Sequence, residues 1–112
     1  MKAINAYIRA DRAPQVLDAL TAAGITHTTL THVVAVGATS IAANAKMNIE
    51  FGRKAHPMIK LEIICLDRDE TRTVELIRSA ACTHQAGDGI IAVTNVNRLV
   101  KIRTAGESTE AL

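Results

Sequence analysis

The apolar residues of this chain run twice through the same order, an alternating run, a helical stripe, then a second extended run. That repetition limits the folds available. In the first cycle Ile4, Ala6 and Ile8 share one face of Ala3–Arg9 and Asn5 and Arg9 the other, the two-residue period of a strand. Asp11 stands at an N-cap position, Pro14 suits a first helical turn, and Val16, Leu17 and Leu20 form the stripe of a helix. Gly24 falls where a left-handed C-cap is expected, and the Thr-, Val- and Ile-rich stretch Ile25–Val36 predicts a second strand. The second cycle opens with Met58–Leu66, in which Ile59, Leu61, Ile63 and Cys65 face one way. Asp67 and Glu70 have capping-box spacing ahead of a helix with the stripe Val74, Ile77 and Ala81. A loop at Thr83–Gly89 leads to a strand at Ile90–Val96, and Leu99–Arg103 reads as one more. From Thr104 the chain turns polar, so 104–112 is expected to be a flexible tail.

Two β-α-β halves of this size predict an α+β fold, the split β-α-β or ferredoxin-like arrangement (βαββαβ). It is one antiparallel sheet with two helices on one face and a long loop between the halves. With 112 residues and 48% hydrophobic content, the chain suits a single domain over 1–112. The sheet face away from the helices is expected to carry Thr29, Val33, Ile64, Ile91 and Val93 together with Lys60 and Glu62. A half-apolar open face of that kind predicts an oligomer. The connection between the halves, residues 37–57, is Ala- and Asn-rich and carries Lys46, Arg53 and Lys54 against Glu50. A loop of this length within a compact domain is functional or disordered, and reads as a mobile arm that docks on a partner.

Composition narrows the function by exclusion. A net charge of +2, with the bases scattered, is too weak for a nucleic-acid face, and one Tyr, one Phe and no Trp leave little to stack on bases. Cys65 and Cys82 fit no metal or redox spacing. No signal peptide opens the chain and no apolar run approaches the roughly 20 residues of a membrane span, so the chain is read as cytoplasmic. His27, His32, His56 and His84 lack metal-site spacing, and His27 and His32 are expected on opposite strand faces. No paired carboxylates or nucleophile–base set can be placed, which argues against an enzyme.

Two features remain that suit an anion. Gly87-Asp88-Gly89 supplies residues that tolerate unusual backbone angles, so that amide groups can turn toward a phosphate. Lys101 and Arg103, two apart on the expected strand, would share a face and grip phosphates together. Each also has an ordinary reading, the triplet as a helix-to-strand turn and the cations as a solvated strand edge.

The stretches "AGITHTTLTHVVAVG", "IKLEII", "AGDGIIAV" and "VNRLVKIRT" resemble the PII family of signal-transduction proteins, and the likeness spans the chain. The resemblance implies a homotrimer that binds adenine nucleotides (ATP, ADP or AMP) in the clefts between subunits. It also implies that the long loop reaches a transporter or enzyme, with membrane association through a transporter partner. Gly87, Asp88 and Gly89 match the family's phosphate-side loop, and Lys101 and Arg103 its pair of arginines, Lys101 lacking the planar fork. Thr29, Gly37, Glu62 and Ile64 match cleft-lining positions, and Thr83 a loop threonine. Departures accompany the matches: Ile90 replaces a cation beside the glycine turn, Ala38 and Thr39 replace an arginine and a glutamine, and Met58 replaces a lysine. Those positions hold ATP phosphates, magnesium and 2-oxoglutarate in the family, so usual 2-oxoglutarate sensing is expected to be lost. Phe51 stands where many relatives carry a uridylylated tyrosine. With fewer cations, ADP or AMP is expected to compete well with ATP, and bicarbonate is a candidate second signal. Two other classes stay open, a metal-ion-handling or efflux-linked trimer of the same fold and a non-binding structural adaptor.

Overall fold

The computed structural model describes residues 1–37, 46–48 and 53–112. In chain order these form β1 (Lys2–Arg9), α1 (Ala13–Ala22), β2 (Thr29–Val36), β3 (Lys46–Asn48), β4 (Arg53–Cys65), α2 (Glu70–Ala81) and β5 (Gly89–Asn95). One antiparallel sheet has the strand order β2-β4-β1-β5, with the short β3 paired to β4. The expected ferredoxin-like α+β fold is found.

The alternation in β1 sets the layers. Ile4, Ala6 and Ile8 pair with Ile63, Leu61 and Ile59 of β4 and, joined by Val16, Leu20, Ile77 and Ala81 of the two helices, make one buried cluster. Burial of each large aliphatic side chain there stabilises the fold by about 1.5–3 kcal/mol. Both helices therefore lie on this face, and Arg12 joins them by donating from Nε and Nη2 to the Ala80 carbonyl (3.1 and 2.6 Å) near the end of α2. That placement also suits the partial negative charge of a helix C-terminus.

The remaining differences from expectation are local and have physical causes. Asp11 is not the cap of α1: Ala10–Arg12 form a 3-10 turn and Arg12 is the N-cap residue, without a side-chain cap bond. Asp67 likewise opens a 3-10 turn, and its carboxylate binds the Met1 ammonium at 2.8 Å instead of capping α2. Gly24 ends α1 as expected, with φ +82°. Its N–H binds the Thr21 carbonyl, and Ile25 N–H binds that of Leu20 at 2.9 Å, the paired bonds of a Schellman motif. Ile25 is thereby drawn onto the core, and β2 starts at Thr29. His27 precedes β2, so the opposite-face reading of His27 and His32 does not apply.

The connecting segment holds more strand than its composition predicts: β3 lies within it, and β4 begins at Arg53. Pro57 is accommodated because β1 ends opposite Met58, so the proline's ladder neighbour is Val34 of β2. Ile91 and Val93 face the helices, paired with Ala6 and Ile4, and not the open face expected for them. Thr29, Val33, Lys60, Glu62 and Ile64 do share the open face, joined by Tyr7 and Ile90. Leu99–Arg103 is not a strand. Val100 makes a single bridge to Glu107, and Lys101 N–H and carbonyl bind Gly106 and Ala105 at 2.8 Å each, closing a turn.

Candidate functional site

The site is built where β1 ends and β5 begins. Gly89 pairs with Ile8, and the strand is so close to β1 that a Cβ at position 89 would stand 1.7 Å from the Tyr7 carbonyl oxygen. Its φ is +111° and that of Gly87 is +92°, both in the region open chiefly to glycine. The Gly87-Asp88-Gly89 turn is therefore fixed by close backbone approach, a stronger requirement than an ordinary loop imposes. At Gly37 a side chain would meet nothing within 4 Å, so the same requirement is absent there.

Asp88 faces inward. It accepts from Thr83 N–H at 2.7 Å, from the Thr83 hydroxyl, and from Arg9 Nε at 2.8 Å. Arg9 also donates from Nη2 to the Ala86 carbonyl at 2.9 Å and is only 5% exposed. Partial burial opposes the charge on Asp88, but the bonds from Thr83 and Arg9 outweigh it and hold the carboxyl well below the usual carboxylate range. Chemically, the one acid of the turn is neutralised from within, so the turn does not present that charge to an incoming anion. His84, held at φ +62°, places Nδ1 3.6 Å from Cys82 Sγ on the same loop.

Arg9 is the residue that sequence reasoning misses, because its place on the polar side of a strand says nothing of a distant partner. Its partner is 79 positions away, and no local pattern signals such a pair.

The other expected residues fall into two further groups. Thr29 pairs directly with Glu62 on the open face, Ile64 pairs with Ala3, and both Thr29 and Ile64 are exposed. Glu62 binds Lys60 Nζ at 2.8 Å, a hydrogen bond that raises the Lys60 pKa, and Lys60 in turn lies 5.9 Å from the Tyr7 ring centroid. From the registers, Glu62 is on the order of 15 Å from Gly89, two strands across and three residues along. Lys101 and Arg103 sit on the turn after β5, exposed, with no side-chain hydrogen bond or ion pair among the described residues. Arg98 nearby differs, binding Glu107 at 2.6 Å. One chain thus brings Thr83, Gly87, Asp88 and Gly89 together and leaves Thr29, Glu62 and Ile64, and again Lys101 and Arg103, apart from them. Ala38, Thr39 and Phe51 lie outside the described residues. Among the described residues, no group of three or more His, Cys, Asp or Glu is placed to hold a metal, and no helix is long and apolar enough to cross a membrane.

Fold and turn together define a class: a small ferredoxin-like α+β protein with a glycine turn braced by an internal Asp–Arg pair. A family model described as "Nitrogen regulatory protein P-II" matches residues 1–106. The chain is similar to the nitrogen regulatory protein P-II of Rhizobium etli, 35% identical over 112 residues covering 100% of both. It is also similar to that of Pasteurella multocida, 33% identical over 116 residues with both again covered in full. To nitrogen regulatory protein GlnK of Escherichia coli K12 it is 30% identical over 111 residues, 99% of this chain and 98% of the other. The chain belongs to the nitrogen regulatory protein P-II family of signalling regulators.

Proposed function

We propose that this protein is a trimeric, non-enzymatic regulator that binds adenine nucleotides between subunits and acts on a transporter or metabolic enzyme through residues 37–57. The observation that carries the reading is the inward-held Asp88. A phosphate-facing turn needs backbone at its surface and no free carboxylate, and Arg9 and Thr83 provide that condition. The exposed Lys101 and Arg103 supply charge without a partner among the described residues, and the separation of the three groups of site residues favours a cleft closed by a second copy. Because Asp88 is occupied, this turn holds no magnesium by its acid, and any magnesium requirement falls to other groups. The protein is placed in the cytoplasm, meeting the membrane only through a transporter partner.

Specificity is proposed to follow from the departures. Ile90 is 66% exposed beside the turn and brings no charge to a terminal phosphate, which favours ADP or AMP relative to ATP. Ala38, Thr39 and Met58 lack the side chains expected of a 2-oxoglutarate site, and Met58 is buried, pressed close to Gly89. Phe51 offers no hydroxyl for uridylylation. Bicarbonate is retained as a second signal to test.

Calorimetry with ATP, ADP and AMP, each with and without magnesium, bicarbonate and 2-oxoglutarate, tests the reading. Saturable binding of at least one nucleotide is expected, with no tight ATP-dependent binding of 2-oxoglutarate. Absence of all nucleotide binding sinks the sensor and leaves the adaptor. Light scattering should give three times the chain mass, and a monomer at micromolar concentration removes the shared cleft.

A further inference from the structure

Ile8, Ile77 and Ala81 belong to the buried core, yet all three also line a pocket of about 290 Å3 between α2 and the start of β5. Val74 completes its helix wall, and Ile90 and Ile91 form its strand wall. Ile90 is 66% exposed there, apolar surface that the chain itself leaves open to water. The volume stands at the lower end of ligand sites, about 300–1,000 Å3, and the mix of aliphatic walls with a few polar groups at the rim is typical of them. Those polar groups favour one sign of charge. Arg78 lies at the rim, and its ion pair with Glu75 is 3.3 Å long with both side chains more than half exposed, a contact that contributes little and exchanges readily. Asp88 lies there too, but its carboxylate is already occupied by Thr83 and Arg9, so it does not repel an anion as a free acid would.

We infer that this pocket binds a small amphipathic acid, with an aliphatic chain of medium length between α2 and β5 and its carboxylate at Arg78. The aliphatic walls suit a body of the same kind, whose burial together with Ile90 removes apolar surface from water. The guanidinium offers a planar pair of donors that matches a carboxylate, whereas a cationic head would meet Arg78 and an acid already neutralised. The site is separate from the nucleotide cleft proposed above. Its walls include α2, on the helix side of the sheet, whereas Thr29, Glu62 and Ile64 share the opposite face. Lys101 and Arg103 do not line it, and only Asp88 and Gly89 border both places. The inference therefore needs neither a second copy nor a bound nucleotide.

Calorimetry with octanoate, and with 1-octanol as its neutral counterpart, tests the inference on the full chain. Octanoate should bind saturably, one per chain and tenfold or more tighter than 1-octanol. Arg78→Gln, a change on an exposed helix position, should remove that preference and leave the unfolding midpoint in place. Val74→Trp should fill the pocket and abolish binding of both compounds. Should Val74→Trp not fold, the native Cys82 at the pocket edge gives the same information. In a Cys65→Ser background, saturating octanoate should slow the alkylation of Cys82 by N-ethylmaleimide fivefold or more. Three results overturn the inference: no saturable octanoate binding, equal affinity for octanoate and 1-octanol, or Cys82 alkylation unchanged at saturation. Displacement of octanoate by ADP also overturns it, since the two sites would then be one. Octanoate binding with no ADP binding supports the pocket while the nucleotide reading fails.

Discussion

Two arginines mark the two regions between which this protein is divided. Arg9 is buried, and each of its contacts, to Asp88 and to the Ala86 carbonyl, lies within its own chain. Arg103 stands on an exposed turn beside a fully exposed isoleucine, with no side-chain partner among the described residues. The first region is finished as a monomer: removing any part of it costs stability. The second makes no such contacts among the described residues, and under the proposed reading removing its parts should leave the fold alone and weaken ligand binding. A residue's involvement in a site therefore need not mean contact with the ligand.

The sharpest way to break the comparison is at Gly89. Gly89→Ala places a methyl group 1.7 Å from the Tyr7 oxygen at a φ of +111°. Loss of more than about 4 kcal/mol, or failure to fold, is expected in urea denaturation. A mild effect would mean that β5 can move away from β1 and that the turn is not rigid.

Arg9→Ala comes next, with an expected loss of about 2–4 kcal/mol. That is below the value for a fully buried pair, because Asp88 keeps its bonds from Thr83. The same pair sets the acid response. The folded-state pKa of Asp88 lies below its unfolded value, so its contribution is fully present above the unfolded pKa and is lost as pH falls through the folded one. Stability should therefore decline from about pH 5 downward, and Asp88→Asn should flatten that decline in denaturation curves collected across the range.

Arg103→Ala should leave the denaturation midpoint within about 0.5 kcal/mol of the parent and weaken nucleotide binding roughly tenfold. Unchanged affinity in calorimetry would place the ligand elsewhere. Lys101→Ala should show the smallest effect, a loss of about threefold, since an ammonium lacks the bidentate fork. A loss larger than that of Arg103→Ala would reverse the roles of the two cations.

The fold was largely legible because its core repeats at short range. The alternation Ile4, Ala6, Ile8 and the stripes Val16–Leu20 and Val74–Ala81 each announce their own element, and Gly24 announces the end of α1. What could not be read depended on partners distant in sequence. Asp67 has capping-box spacing, yet its carboxylate is claimed by the ammonium of Met1. Ile25 looks like strand, yet the Schellman bond to Leu20 turns it into the core. Leu99–Arg103 has strand composition, but Gly106 and Glu107 fold back on it, and only one bridge forms. In the candidate site, the glycines and exposed cations showed themselves by residue type, whereas Arg9 did not, since nothing near it marks the burial that gives it its role.

The position of β1 between β4 and β5 also governs when this chain can fold. Lys2 must find both Cys65 and Asn95, so β1 is made before both of its neighbours and is completed only after the later of them. At about 5–20 residues per second, about 5–20 seconds of synthesis separate Lys2 from Asn95. Through that interval Ile4 and Ile8 have no complete sheet to join, and a nascent chain interrupted before residue 89 lacks the edge strand β5 altogether. The sheet thus cannot be completed before β5 is made, whereas α1 and its cap depend only on neighbours already made.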